Sequence, residues 1–216
     1  MQMLVDRLSW AATAATVAVM FFALTRLPPM PQAMQPAHGL AAAVAGAVAS
    51  AGLYRLLSSG FLWLFSRTRW LRKMLLGKGF LEGTWIGHYT SGGAHFITVE
   101  HIDQASGQPR INGREFDANG KTRASWASDT VSVDTDRMRL VYAYTCTVFD
   151  RKHVQEGLGV FTMVRESAEA GPTKLDGYAV DLIDGDRDPN TEFRISEKPM
   201  PDAEAIAHAK KQFGLQ

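Results

Sequence analysis

Five aromatic side chains and four arginines are the residues of this 216-residue chain whose types suit ligand chemistry. Tyr89, Trp126, Tyr142, Tyr144 and Tyr178 fall in stretches of alternating character, and Arg114, Arg123, Arg165 and Arg187 fall among them. Aromatic faces stack nucleobases and guanidinium groups pair bidentately with phosphates, so the nine form a candidate site for an anionic, base-bearing ligand. Core packing is the plain alternative for each aromatic, and a solvated charge for each arginine. Tyr142 and Tyr144 lie two apart, so they share one strand face with Leu140.

Other chemistry finds less support. His95 and His101 share a strand but stand six residues apart, about 20 Å by strand rise, so no metal site is expected. The run Asp184-Gly185-Asp186-Arg187-Asp188-Pro189-Asn190 opens like a calcium loop. It has Pro189 where the sixth position needs glycine and Ile195 where the twelfth needs glutamate, so it reads as an acidic hairpin turn. Cys146 is the single cysteine; it cannot form an intrachain disulfide and has no protease signature around it. No glycine-rich phosphate loop and no nucleophile elbow occur. The expectation is a protein without catalytic residues or cofactor, not an enzyme.

The elements that would position the nine residues have a period of two from Phe80 to Lys198. Leu81–Tyr89, Phe96–Ile102, Arg110–Phe116, Lys121–Ala127, Thr130–Asp134, Arg137–Thr147, Val154–Arg165, Lys174–Ile183 and Glu192–Glu197 read as strands. Asp117-Ala118-Asn119-Gly120 is a hairpin turn, since Asn-Gly tolerates positive φ. About eight short strands with turns at close intervals argue for an all-β antiparallel barrel, lipocalin-like in that Gly83-Thr84-Trp85 would set a tryptophan plug at one end. Asp202–Gln216 reads as a short amphipathic helix or a loose end.

The N-terminal part has a different character. Leu8–Thr25 carries no charge and is about the length needed to cross a bilayer. Prolines from Pro28 to Pro36 turn the chain, and a second apolar run extends from Gly39 to Phe65 around Arg55. The domain reading is therefore a two-helix transmembrane anchor over 1–66, a basic juxtamembrane connector over 67–79, a barrel over 80–198 and a tail over 199–216. Ala42, Gly46 and Ser50, at four-residue spacing, form a stripe suited to close helix packing. Up to Lys78 the chain has eight basic residues and only Asp6 as an acid; beyond it stand fifteen basic and twenty-one acidic residues. Basic residues flank the spans on the side away from the proline connector. Both termini and the barrel should thus face the cytoplasm of an inner membrane. An acidic domain is a poor general binder of nucleic acid, so DNA and RNA are not expected partners.

The order of these features resembles a known family. Two spans lead through Tyr54-Arg55-Leu56-Leu57 and Phe61-Leu62-Trp63 to a basic stretch, then to Leu81-Glu82-Gly83-Thr84-Trp85-Ile86-Gly87. Leu140-Val141-Tyr142-Ala143-Tyr144 and Leu175-Asp176-Gly177-Tyr178 follow. Over roughly residues 8–198 the chain is similar to the two-transmembrane, β-strand-rich effectors of CBASS, the bacterial antiphage systems that signal by cyclic oligonucleotides. The resemblance implies a receptor whose barrel binds a cyclic dinucleotide, which then forms homo-oligomers and damages the membrane, killing the infected cell. A membrane-tethered lipocalin-like carrier of a lipid or other apolar ligand, and a structural subunit that docks a partner, remain as alternatives. A pocket with Arg beside Tyr and Trp would favour a nucleotide; one lined by Leu, Val and Phe would favour a lipid.

Overall fold

The structure, a computed structural model, describes residues 13–19, 35–91, 93–149, 154–168, 170–182, 185 and 187–215, with residues 35–47 described by their backbone. The chain divides into two compact units, Met1–Thr68 and Arg69–Gln216.

In the first unit, residues 13–19 form a helical stretch, α1, and Gln35–Arg67 forms the 33-residue helix α2. Such a helix is about 50 Å long, more than a hydrocarbon core requires. Its Val48–Arg67 stretch has a mean hydropathy of 1.2 and is only 6% buried; by length and composition it can cross a membrane. The rest of the Leu8–Thr25 run and the proline connector up to residue 34 lie outside the described residues. Of the small-residue stripe, the side chains of Ala42 and Gly46 also lie outside them, and Ser50 is half-buried.

The second unit opens with α3 (Arg69–Leu76) and a 3-10 turn, Gly77–Gly79. Eight strands follow: β1 Gly83–Ser91, β2 Ala94–Asp103, β3 Arg110–Asp117, β4 Thr122–Asp134, β5 Arg139–Val148, β6 Val154–Val164, β7 Lys174–Asp181 and β8 Arg187–Ser196. Each pairs antiparallel with the next, and β1 pairs with β8, so the sheet closes into a barrel without edges. Closure brings β1 and β8 very near each other at Gly83. Its φ is +141°, and a Cβ there would lie 2.0 Å from the Ser196 carbonyl oxygen, so only glycine fits.

Two apolar layers hold the unit together. One end of the barrel interior is filled by Trp85, Ile102, Ile111, Leu140, Phe161, Met163 and Leu175. Trp85 is the expected plug: it is fully buried, donates its indole N–H to the Leu81 carbonyl at 2.8 Å, and lies under the Arg194 guanidinium at 5.6 Å. The second layer lies outside the barrel. There α4 (Asp202–Phe213) lays Ala205 and Ala209, four apart and both fully buried, on Ile86, Ile97, Val99, Phe116, Phe193 and Ile195. Gly214 ends this helix in the left-handed conformation, its N–H bonded to the Lys210 carbonyl.

Three sequence boundaries shift. Lys121–Ala127 and Thr130–Asp134 form one strand, β4, with a bulge between Ser128 and Thr130. β8 begins at Arg187, five residues before the expected Glu192. The basic stretch after α2 belongs with the barrel unit. Arg72 is buried, and its Nε and Nη2 donate to the two oxygens of Glu82 at 2.7 and 2.8 Å, while Lys73 Nζ donates to Glu197 at 2.6 Å. A buried carboxylate demands a partner, and this arginine supplies it.

Candidate functional site

The strand register decides which side chains can meet. Trp85 pairs with Glu100, Glu100 with Gly113, Gly113 with Trp126 and Trp126 with Cys146, so all lie on the inner face. Tyr142 and Tyr144 pair with Gly159 and Gly157 on the same face. Each large ring lies over a glycine of a neighbouring strand. A Cβ on Gly113 would sit 2.0 Å from the Trp126 ring, and Cβ atoms on Gly157 and Gly159 would sit 2.2 and 2.6 Å from Tyr144 and Tyr142. Gly113→Ala is therefore expected to push Trp126 off its seat. It should cost about 1–3 kcal/mol of stability and change the tryptophan emission, read by fluorescence-detected melting.

Of the nine expected ligand residues, Tyr89, Arg123, Trp126, Tyr142 and Tyr144 come together in the barrel beyond the apolar end. Tyr89 donates to Glu115 Oε2 at 2.6 Å and tilts against Phe96, over whose ring Arg123 lies at 4.6 Å. Trp126 Nε1 and the Tyr142 hydroxyl both donate to Glu100 Oε1, at 2.9 and 2.7 Å. Tyr144 lies 5.8 Å from the Tyr142 ring and 6.5 Å from the Trp126 ring, centroid to centroid. Burial raises the proton affinity of all three tyrosines, so they stay neutral phenols. Cys146, half-buried on the same face, has its thiol pushed up to about 11 by burial, then by Glu115 and Asp181; it is a poor nucleophile.

The other four lie elsewhere. Tyr178 and Arg187 are on the opposite strand phase and pair with each other outside the barrel at 5.0 Å. Arg165 follows β6 and donates to the Ala168 carbonyl. Arg114 points to the outer face and donates to Asp202 Oδ2 at 2.6 Å, while Asp202 Oδ1 lies 3.1 Å from His101 Nε2. These three residues, with Asn112, Gly113, Ser125 and Trp126, line an outer cavity of about 420 Å³ beside the start of α4.

The sequence reading missed the residues at the centre. Glu100 and Glu192 are 1% and 0% exposed, and Asn190 Nδ2 donates to Glu192 Oε1 at 2.9 Å. Burial pushes both carboxyls above the ordinary glutamate value of 4.5, and for Glu192 the nearby Glu100 pushes further. Above about pH 4.5 the folded state thus holds protons that the unfolded chain has lost, and stability falls as pH rises. Glu192→Gln should remove most of this slope. Its melting temperature should match the parent near about pH 4.5 and exceed it near about pH 8; equal slopes in parent and variant would show that Glu192 does not carry the effect.

Comparison with protein-family models, with curated proteins and with solved structures finds no match for this chain.

Proposed function

We propose that this chain is a membrane-anchored receptor-effector. Its barrel binds a cyclic dinucleotide, and ligand binding drives self-assembly of the anchor and disruption of an inner membrane from the cytoplasmic side. The apolar α2, the closed barrel and the ordered motifs that resemble the two-transmembrane antiphage effectors support this reading. The observation that carries it is the inward cluster of Tyr89, Trp126, Tyr142 and Tyr144 beside Arg123. These are stacking faces with polar tips, joined by a guanidinium. A carrier of an apolar ligand fits less well. Its cargo would lie against Glu100 and Glu192, which offer it no favourable contact.

Charge sets the orientation of such a ligand. Arg123, 4.0 Å from Glu115 and 4.6 Å over the Phe96 ring, is the guanidinium beside the aromatic cluster, so the phosphates belong toward it and the bases deeper, against the rings. A population shift then follows from differential affinity: a ligand that binds the assembled arrangement better than the single chain drives assembly.

Titration of the full-length chain in detergent micelles with cyclic di-GMP, cyclic di-AMP and mixed cyclic dinucleotides tests this reading. At least one should quench tryptophan emission and raise the melting temperature. Arg114→Ala should bind as the parent does, because Arg114 lies outside the barrel with Asp202. Absence of any response across the panel would overturn the reading. Loss of binding in Arg114→Ala would move the ligand to the outer cavity.

A further inference from the structure

Two histidines meet on the outer face of the barrel near the β1–β2 turn. The antiparallel register pairs His88 with Ile97 and Thr90 with His95, so His88 and His95 are diagonal neighbours on one face of the two strands. Their rings meet through nitrogens. His88 Nε2 stands 3.1 Å from His95 Nδ1, with ring centroids 5.2 Å apart and planes 24° from parallel. Thr90 Oγ1 lies 3.3 Å from the same His95 nitrogen. His88 is half-buried and its ring stacks on Phe213 of α4 at 5.4 Å, while His95 is exposed. The sequence reading weighed His95 only against His101, six residues along the same strand; the partner that reaches it is on the neighbouring strand, where register sets proximity.

Two ring nitrogens this close have two ways to coexist. One donates a proton to the other, or both offer lone pairs to one cation. The distance suits the second arrangement. Nitrogens bound at about 2.0–2.1 Å to one ion stand about 2.9 Å apart at a right angle and about 3.3 Å apart at the tetrahedral angle, and the observed 3.1 Å lies between. Burial, then the neighbouring His95, lower the His88 proton affinity, so this ring is neutral at pH 7 and keeps a lone pair to offer. Both residues stand on paired strands of a closed sheet, so an ion finds them already placed.

We propose that His88 and His95 form a surface site for a divalent transition-metal ion of the imidazole-binding class, copper(II) or zinc. Imidazole nitrogens suit these ions, and the stability order among first-row divalent metals favours copper. Among the described residues no group of three or more His, Cys, Asp or Glu side chains is placed to hold an ion. The rest of the coordination sphere at this pair is therefore open to water or to an incoming ligand, as in sites that keep a free position. An ion here clasps β1 to β2 beside the Phe213 ring, at the end of α4. The site lies outside the barrel, and the inference is independent of the receptor reading.

The test uses the full-length chain in detergent micelles, prepared without a histidine tag and stripped with EDTA. The probes are copper(II) and zinc ions alone. Calorimetric titration should give one ion per chain, and about a hundredfold excess over the Kd should raise the melting temperature by about 5 °C or more. Electron spin resonance of the copper(II) form should show two imidazole nitrogens. His95→Gln keeps a polar partner for His88 at an exposed position, so it should melt as the metal-free parent does. It should bind copper(II) about a hundredfold or more weakly, since losing even a group that only supports a metal ligand costs about 10–100-fold. His208→Ala removes an exposed histidine of α4 and should bind as the parent does. Absence of binding by both ions overturns the site, and so does equal binding in folded His95→Gln or a copper spectrum with one nitrogen in the parent. Loss of binding in His208→Ala moves the ion to α4 and overturns the site equally.

Discussion

Glu82→Ala is expected to destabilise the barrel unit by about 3–5 kcal/mol, lowering the melting temperature by roughly 10 °C or more. The Glu82 and Arg72 side chains are each only 8% exposed, and the guanidinium meets both carboxylate oxygens. The bond to Glu82 is the main reason that the Arg72 proton affinity is raised. Arg69 Nε lies a further 3.8 Å from the same carboxylate. Removing the carboxylate strips a buried guanidinium of the counter-charge that it meets at two points, a larger penalty than the net worth of the pair. The double variant Arg72→Met with Glu82→Leu separates the two quantities. It should melt close to the parent, since an apolar pair of similar volume replaces the ions without leaving either unpaired. Thermal denaturation followed by circular dichroism reads both. A Glu82→Ala variant that melts with the parent would mean that Arg72 finds water or another acid, and that α3 is not fixed to the barrel through this pair.

The ion pair also marks where sequence reading and structure part. Arg69, Arg72 and Lys73 sit after an apolar helix among aromatics, a setting that charge patterning assigns to lipid headgroups. Nothing local signals that Glu82, ten residues on, is buried and must be met. The strands were legible because most have one polar face: the Asn119-Gly120 turn, the Tyr142 and Tyr144 face and the Trp85 plug all follow from alternation and turn chemistry. Where α4 covers the outside of the barrel, alternation loses its meaning. In β2, Phe96, Thr98, Glu100 and Ile102 face inward, while Ile97 and Val99 face α4, so both phases carry apolar residues. In β8 the pattern is inverted: Phe193 and Ile195 lie outside under α4, and Asn190, Glu192 and Arg194 point in. A rule that puts apolar residues in the core sends Glu192 to solvent, which is why the acid pair at the centre of the site escaped notice. Tyr178 and Arg187 fail for a related reason: residue type suits them to a pocket, but strand phase puts them outside.

If the proposed receptor reading holds, Tyr144→Ala is expected to weaken cyclic dinucleotide binding by roughly ten- to a hundredfold. One lost base–aromatic stack is worth about 1–3 kcal/mol, and 1.4 kcal/mol is a factor of ten. Tyr144 is the better probe of the two neighbouring tyrosines. Tyr142 is buried, stacked on Phe161 with an interplanar angle of 6° and bonded to Glu100, so its removal perturbs the core. Tyr144 is half-buried, and its ring rests on Gly157, a backbone position that cannot collapse far into the space it leaves. The variant still carries the risk of any large-to-small change, so its melting curve is measured beside its affinity. Tyr144→Phe then divides the role. Unchanged affinity there, with loss in Tyr144→Ala, assigns the contact to the ring face; loss in both assigns it to the hydroxyl. Tyr142→Phe gives a contrasting result inside the core: it takes one donor from Glu100 Oε1 and should lower the melting temperature. If Tyr144→Ala stays folded and binds every cyclic dinucleotide as the parent does, the inner face is core packing alone, and the outer cavity between His101, Arg114 and Asp202 becomes the place to look for the ligand.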